Sequence, residues 1–486
     1  MAVPRGVKGS LVVPEGITTL PENVFAYLEV SDYYIPDSVF RFAPNTFGEF
    51  AQEFTIHCAE GSAASAYAQR YGFDYEIVGE GGVSDAAARN EFSKETQELD
   101  GCTLVWRVYV DHAELVDMQA EMERFEVPAQ YKDLPVTVLG YEDELDYELG
   151  SSYVSKIVIP NSLQTVNVDF LSDIYGLSEI EVAGDNPALR SEDNVLFTKE
   201  GTLVFYPRDK KEKEYAVPDG TQVIGDDAFR FCRTIEKITL PDTVYSIGGE
   251  AFASCDLLSS VTLGAGVENI DNSAFRDCEA LTNINFPENL RMIGDYAFRG
   301  TSLRDVKLPS SVEAIGSNAF TVKQGFGEVT LPESLTYLGY SAFETDDYAE
   351  VPYQARQDSL RIPEGLRFEG DMLHGILPAE FEADENNPYH SVIDGLLMSK
   401  DERTLVCVPG GREGALTIPE GTETIEYGAL DGCPYLTDVY VPDSVIDIGN
   451  LGEDSYDGPC PYKVHCHAGS EAQRQLEANS VEWEDM

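Results

Sequence analysis

Hydrophobic and polar residues alternate along this chain in short bursts that return at a fixed interval. In Ile238-Thr239-Leu240 the apolar residues flank a polar one. That is the period of a half-buried strand, sending Ile238 and Leu240 inward and Thr239 outward. The burst returns at Val261, Ile284, Val306 and Val329. The anchors that follow each burst, Pro218, Pro241, Gly264, Pro287, Pro309 and Pro332, are 23, 23, 23, 22 and 23 residues apart, and Pro419 and Pro442 repeat the interval of 23. Self-similarity at such a period predicts a solenoid, one coil per repeat.

Each position of a coil has a physical part. Pro241 lacks an N–H and ends the first strand. Val244 and Ile247 return to the interior, and Gly248 is expected to supply a positive φ where the chain turns. Ala251 and Phe252 make a small–large pair that can fill one coil without a void. A single coil cannot offset its ordering entropy, whereas a stack can. The expected fold is a mainly β repeat solenoid with short helical and irregular segments, its short strands parallel, in two tandem arrays.

An array needs its apolar ends covered. Two segments match as covers, residues 55–78 and 460–486: each has a strand with an inward cysteine (Cys58, Cys466), then Gly-Ser, then an Ala- and Gln-bearing helix with Ser62 or Ser470 as N-cap. The expected organisation is a partial array over 1–78, a linker over 79–91 built on Gly79-Glu80-Gly81-Gly82, a β-hairpin or meander over 92–130 as opening cover, and a second array over 131–486. Hairpin insertions are expected at 186–207 and 387–409, and a looped-out insert from Thr345 to Asp358. The pattern starts in mid-array at Val12-Val13-Pro14, so further coils are expected upstream of Met1.

The units I/L-P-x-x-V-x-x-I-G-x-x-A-F-x-x-C, with the Cys-x-x-Gly-Ser-x-Ala terminus, resemble BspA-type leucine-rich repeats from about Leu11 to Val78 and from Pro128 to Met486. The resemblance implies a leucine-rich-repeat superhelix. It also implies a cell-surface or secreted bacterial or protist protein used in adhesion or protein binding, and it leaves the ligand open.

Composition narrows the partners. With 87 Asp and Glu against 33 Lys and Arg the formal charge is −54, which repels phosphate backbones and anionic bilayer surfaces. No apolar run approaches the roughly 20 residues of a membrane span, and the first residues carry no apolar core of signal-peptide length. Nine cysteines, an odd number, do not form a disulfide framework. Cys232, Cys255 and Cys278 are 23 apart, and Cys433 lies 14 after Pro419 as Cys232 lies 14 after Pro218. Without companion ligands at metal spacing, they read as small buried fillers of a turn.

Catalytic motifs are missing: no Gly-x-Ser-x-Gly, His-Glu-x-x-His, Gly-x-Gly-x-x-Gly or Walker-type sequence occurs, and only six histidines are present. Cys460, His465, Cys466 and His467 are the richest ligand cluster, but His465 and His467 share one strand face while Cys466 takes the other. The carboxylate run Glu142-Asp143-Glu144-Leu145-Asp146-Tyr147-Glu148, like Asp346-Asp347, lacks the glycine-punctuated spacing of a calcium loop and reads as solvated. No metal or cofactor is expected, and no enzyme.

The binding candidate is instead a ribbon of outward first-strand positions stacked from coil to coil: Lys237 and Thr239, Ser260 and Thr262, Asn283 and Asn285, Asp305 and Lys307, Glu328 and Thr330. The favoured function is non-catalytic adhesion to a host or neighbouring-cell protein or glycan. The alternatives are a structural spacer presenting another domain, then a metal-binding or enzymatic protein.

Overall fold

The structure, a computed structural model, describes residues 8–13, 19–20, 24–25, 29–36, 39, 41–42, 46–47, 54–59, 62–71, 73–77, 93–140, 152–304, 306–322, 329–343, 355–367, 376–449, 451 and 462–486. It is a β-solenoid whose coils stack through short parallel strands. The chain forms two compact units, Met1–Leu177 with Glu181–Leu189, and Ser178–Ile180 with Arg190–Met486. The division falls inside what the sequence reads as its second array; the linker at 79–91 lies outside the described residues.

In the second unit the coils build three hydrogen-bonded files. The first strands, Glu214–Ala216, Lys237–Thr239, Ser260–Thr262 and Asn283–Ile284, pair in parallel with Ile238, Val261 and Ile284 in register. The second strands, Val223–Ile224, Ser246–Ile247, Asn269–Ile270, Met292–Ile293, Ala314–Ile315 and Tyr337–Leu338, pair likewise, stacking Ile224, Ile247, Ile270, Ile293, Ile315 and Leu338. The third file is the Ala-Phe corner, where the amide of Phe252 donates to the carbonyl of Ala274 at 2.7 Å and that of Phe275 to Ala297 at 2.7 Å.

Register in all three files puts identical side chains on top of one another. Phe229, Phe252, Phe275, Phe298, Phe320 and Phe343 form one stack, with successive centroids 4.8, 4.9, 5.2, 5.1 and 5.4 Å apart. All are buried, as are Ala228, Ala251, Ala274, Ala297, Ala319 and Ala342 behind them. Leu240, Leu263 and Leu331 are buried in the same core, and Leu308 packs against it.

Gly248 departs from expectation, since its φ is not positive. A Cβ there would lie 2.3 Å from Asp226 Oδ1 and 2.7 Å from the Asp226 backbone nitrogen, so glycine serves close approach of adjacent coils. The left-handed conformation is carried elsewhere by ordinary residues: Asp227, Glu250, Ser273, Tyr296, Asn318 and Ser341 at one corner, and Phe231, Ser254 and Asp277 at a second. Each carries roughly 1–2 kcal/mol of strain, which the ladders hold in place.

The remaining segments follow their own patterns. Near the N-terminus, Lys8–Val12, Glu29–Tyr34, Thr55–Cys58 and Asp74–Ile77 form a parallel sheet in that order. Its core gathers Phe25, Tyr33, Phe47 and Tyr67. Ser93–Leu99, Cys102–Val108 and Ala113–Glu126 form an antiparallel meander that buries Trp106 beneath the stacked ring of Tyr131 at 4.4 Å. His390–Ile393, Leu396–Ser399 and Thr404–Cys407 make a second meander, whose last strand rejoins the parallel ladder at Thr424–Ile425. Asn387 opens it: its buried side chain donates to the Pro363 carbonyl and accepts from the amides of Tyr389 and His390. Asn186 makes the same bonds to Pro160 and Leu163, Ala188 and Leu189.

The looped-out insert expected from Thr345 to Asp358 is shorter than that, because Ala355–Ile362 is strand; residues 345–354 lie outside the described residues. Among the described residues, no helix is long and apolar enough to cross a membrane. Phe252→Ala removes one ring from the middle of the stack and should cost about 3–5 kcal/mol, read as a lower urea midpoint of the second unit. A loss indistinguishable from zero would mean the stack carries no stability.

Candidate functional site

The ribbon is built on the first-strand file. Because strand residues alternate, each strand sends one apolar residue inward and presents its neighbours to solvent. Lys237, Thr239, Thr262, Asn283 and Asn285 are exposed and Ser260 is half-buried, with Lys237, Ser260 and Asn283 in one register row and Thr239 and Thr262 in another. Lys307 and Thr330 are exposed too, but among the described residues the ladder that starts at Glu214–Ala216 ends at Asn283–Ile284. Among the described residues the strand-paired part of the ribbon runs from Lys237 to Asn283. The coil between Pro287 and Pro309 is the 22-residue one, and parallel strands pair again further on, Ala355–Ile362 with Ile376–Ala383 and Gly414–Thr417 with Leu436–Tyr440. Asp305 and Glu328 lie outside the described residues.

Several ribbon side chains already have partners one coil away. Lys237 Nζ donates to Glu214 at 2.7 Å, and Asn283 Nδ2 donates to Ser260 Oγ at 3.1 Å. Asn285 replaces a missing backbone pair: its Oδ1 accepts from the Leu263 amide at 2.7 Å and its Nδ2 donates to the Leu263 carbonyl at 2.9 Å. Gln357 does the same for Val329, at 3.0 and 3.2 Å. Thr239 and Thr262 form the part of the ribbon most open to a partner.

The cysteine file is interior. Cys232, Cys255, Cys278 and Cys433 are buried. The Cys255 and Cys278 thiols donate to the carbonyls of Phe229 and Phe252, one coil back, at 3.1 and 3.0 Å. Burial pushes the thiols of Cys232, Cys278 and Cys433 well up, so none is a ready nucleophile or thiolate ligand. Thr301 stands at the same place in the next coil, but its hydroxyl donates within its own coil, to the Phe298 carbonyl at 2.8 Å. The file is thus a buried position for a small hydrogen-bond donor.

Among the described residues, no group of three or more His, Cys, Asp or Glu could hold a metal ion. Cys466 is buried, His465 bonds Asp438 and His467 bonds Asp443, while Cys460, Glu142 to Glu148 and Asp346-Asp347 lie outside the described residues.

The covers hold an arrangement that residue types alone did not reveal. In the first, His57 Nε2 meets Asp32 Oδ1 at 2.8 Å, its ring stacks on Tyr34 at 4.3 Å, and Nδ1 faces Glu76 at 3.6 Å. In the second, His465 Nε2 meets Asp438 Oδ1 at 2.9 Å, its ring stacks on Tyr440 at 4.5 Å, and Nδ1 faces Glu484 at 3.9 Å. The partners sit in neighbouring coils, so the available signal was register: Asp-x-Tyr one coil before the cover histidine. Ser62 and Ser470 accept from the amides of Ser65 and Gln473, as N-caps do. Gln475 binds the Ile446 carbonyl and the Ile448 amide, closing the exposed edge of the last coil. The histidine constellation ties each cover strand to the neighbouring coil.

Six copies of the BspA type Leucine rich repeat region match this chain, over residues 204–326, 292–352 and 414–451. Among solved structures, a leucine-rich repeat protein from Bacteroides ovatus is 18% identical, with 80% of this chain and 99% of that chain covered and a TM-score of 0.42. One from Eubacterium ventriosum is 18% identical over 71% of this chain and 84% of that chain, with a TM-score of 0.37. A leucine rich cell surface protein from Faecalibacterium prausnitzii is 21% identical over 76% of each chain, with a TM-score of 0.33. No curated protein sequence matches the chain.

Two outcomes follow from the buried groups. Cys232, Cys278 and Cys433 should resist Ellman's reagent in the folded protein and react on unfolding; rapid labelling of any of them under native conditions would contradict their burial. His390 is held below its ordinary value of 6.5 by burial, so folding favours its neutral form. Its contribution is complete above that value and falls as pH drops below it. His390→Gln should therefore flatten the loss of stability between about pH 7.5 and pH 5, measured by urea unfolding. Equal slopes in the two proteins would refute this.

Proposed function

Starting from a chain whose coils are BspA-type leucine-rich repeats, we propose that it is a non-catalytic binding protein, displayed at a cell surface or secreted, that engages a partner protein or glycan along its first-strand ribbon. The observation that carries this reading is the register of that ribbon. Thr239 over Thr262, beside Lys237, Ser260 and Asn283, makes a rigid polar face whose spacing is set by backbone hydrogen bonds. A surface ordered before binding loses little entropy on association. Burial of the thiols and the engagement of His57 and His465 by carboxylates support a non-catalytic role.

The competing reading is a spacer that presents another domain. It is favoured by the bonding of Lys237, Asn283 and Asn285 within the ribbon, which leaves fewer groups for a ligand. Arrays of extracellular-matrix proteins and glycans, probed with the full chain at roughly micromolar concentration, separate the two. Adhesion predicts discrete signals that Thr239→Arg with Thr262→Arg weakens about tenfold or more by blocking the centre of the face. A blank on both arrays, or signals indifferent to the double substitution, would leave the spacer.

A further inference from the structure

A second surface, in the first unit, shares no residue with the ribbon and does not rest on the reading of it. Strands Ala113–Glu126, Ser152–Ile159 and Ile174–Tyr175 lie side by side in parallel, and their register places Glu121, Tyr153 and Tyr175 in a single row. Tyr153 and Tyr175 are 58% and 56% exposed, their rings stacked at 5.5 Å and 26°. Buried Ser152, Val154 and Ile174 on the opposite face hold the strands in place. Next to Tyr175, a Cβ built on Gly176 meets nothing within 4 Å, so the approach is open.

The charges around the rings are unbalanced. Arg124 and Lys156, the nearby cations, are held by Glu126 and Glu181: Arg124 lies 2.9 Å from Glu126 and 3.6 Å from Glu181, and Lys156 lies 2.9 Å from Glu181. Glu121 and Glu123 are exposed and have no ion-pair partner among the described residues. The patch therefore combines electron-rich ring faces with unneutralised carboxylates, on a chain of net charge −54.

We propose that the Tyr153–Tyr175 pair, with Glu121 and Glu123, is a docking site for a lysine- and arginine-rich segment of a partner protein. A guanidinium or ammonium group gains from a ring face and a carboxylate at once, and the field of the whole chain steers it inward. An extended sugar chain is served by rings laid out flat in tandem; these two are stacked on one another. Anionic partners are repelled.

The test titrates the full chain with octa-arginine at about 150 mM salt, where the Debye length of roughly 8 Å leaves only local charge effective. Cellohexaose serves as the neutral sugar probe. Tyr153→Ser with Tyr175→Ser, and separately Glu121→Gln with Glu123→Gln, should each weaken octa-arginine binding roughly tenfold. Tyr153→Phe with Tyr175→Phe should retain it, which separates lost ring faces from lost folding. Glu288→Gln with Glu364→Gln, elsewhere on the chain, should leave it unchanged. The proposal is overturned if octa-arginine does not bind, if the Tyr→Ser pair binds like the wild type, or if the Glu288 and Glu364 control weakens binding as much as the Glu121 and Glu123 pair. It is equally overturned if the Phe pair fails like the Ser pair, or if cellohexaose binds and is lost with the rings.

Discussion

The second unit depends on a match between two lengths. Hydrogen-bonded strands lie about 4.7–4.9 Å apart, and aromatic rings attract at centroid separations of about 4.5–7 Å. Placing one phenylalanine at the same point of every coil lets both be satisfied together, and the observed ring spacings of 4.8 to 5.4 Å show the compromise. Each ring buries an area worth roughly 1.5–3 kcal/mol, but only when a neighbour covers both faces. The residues around the stack are fitted to that requirement. Alanine precedes each phenylalanine because the backbone at that corner is in its own ladder, and glycine stands at 248, 294, 316 and 339 because adjacent coils touch there.

That match explains why the interior was legible in the sequence. Ile238, Leu240, Val244, Ile247, Ala251 and Phe252 could be assigned inward positions from period and size alone, and all are buried. Gly248 was misread because sequence shows that glycine is required without showing whether φ or space requires it. The break in first-strand pairing after Asn283–Ile284, among the described residues, was also hidden. The 22-residue interval itself is absorbed without loss of register: Met292 pairs Ala314 and Ala314 pairs Tyr337 in the second file, and the phenylalanine stack continues through Phe320 and Phe343. The same blindness covered the histidine clamps: Asp438 and His465 are 27 residues apart, and nothing in either local sequence announces the other.

Where the backbone ladder fails, side chains replace it. Asn285 and Gln357 each offer one donor and one acceptor to a single residue of the preceding coil, the same pair of bonds a strand neighbour would supply. An unsatisfied pair buried there would cost several kcal/mol, so these amides belong to the scaffold, even though sequence reasoning assigned Asn285 to a ligand-binding face. Outward direction is a necessary condition for binding and a weak one. The side chains left for a partner are those that the stack does not use.

The distribution of charge follows from the same geometry. A coil that repeats in register would stack like charges a few ångströms apart, and with 87 acids the penalty would accumulate along every file. Cations interrupt it: Lys213 bonds Glu236, Lys237 bonds Glu214, Arg291 bonds Glu313 and Lys463 bonds Glu484, each one coil away. Exposed pairs of this kind add little to stability individually, but they determine where the negative field is relieved. With many of the 33 cations held in such rungs, the carboxylates elsewhere on the surface remain uncompensated. An acidic solenoid can thus be locally neutral where its coils must stack and strongly attractive to cations where they need not.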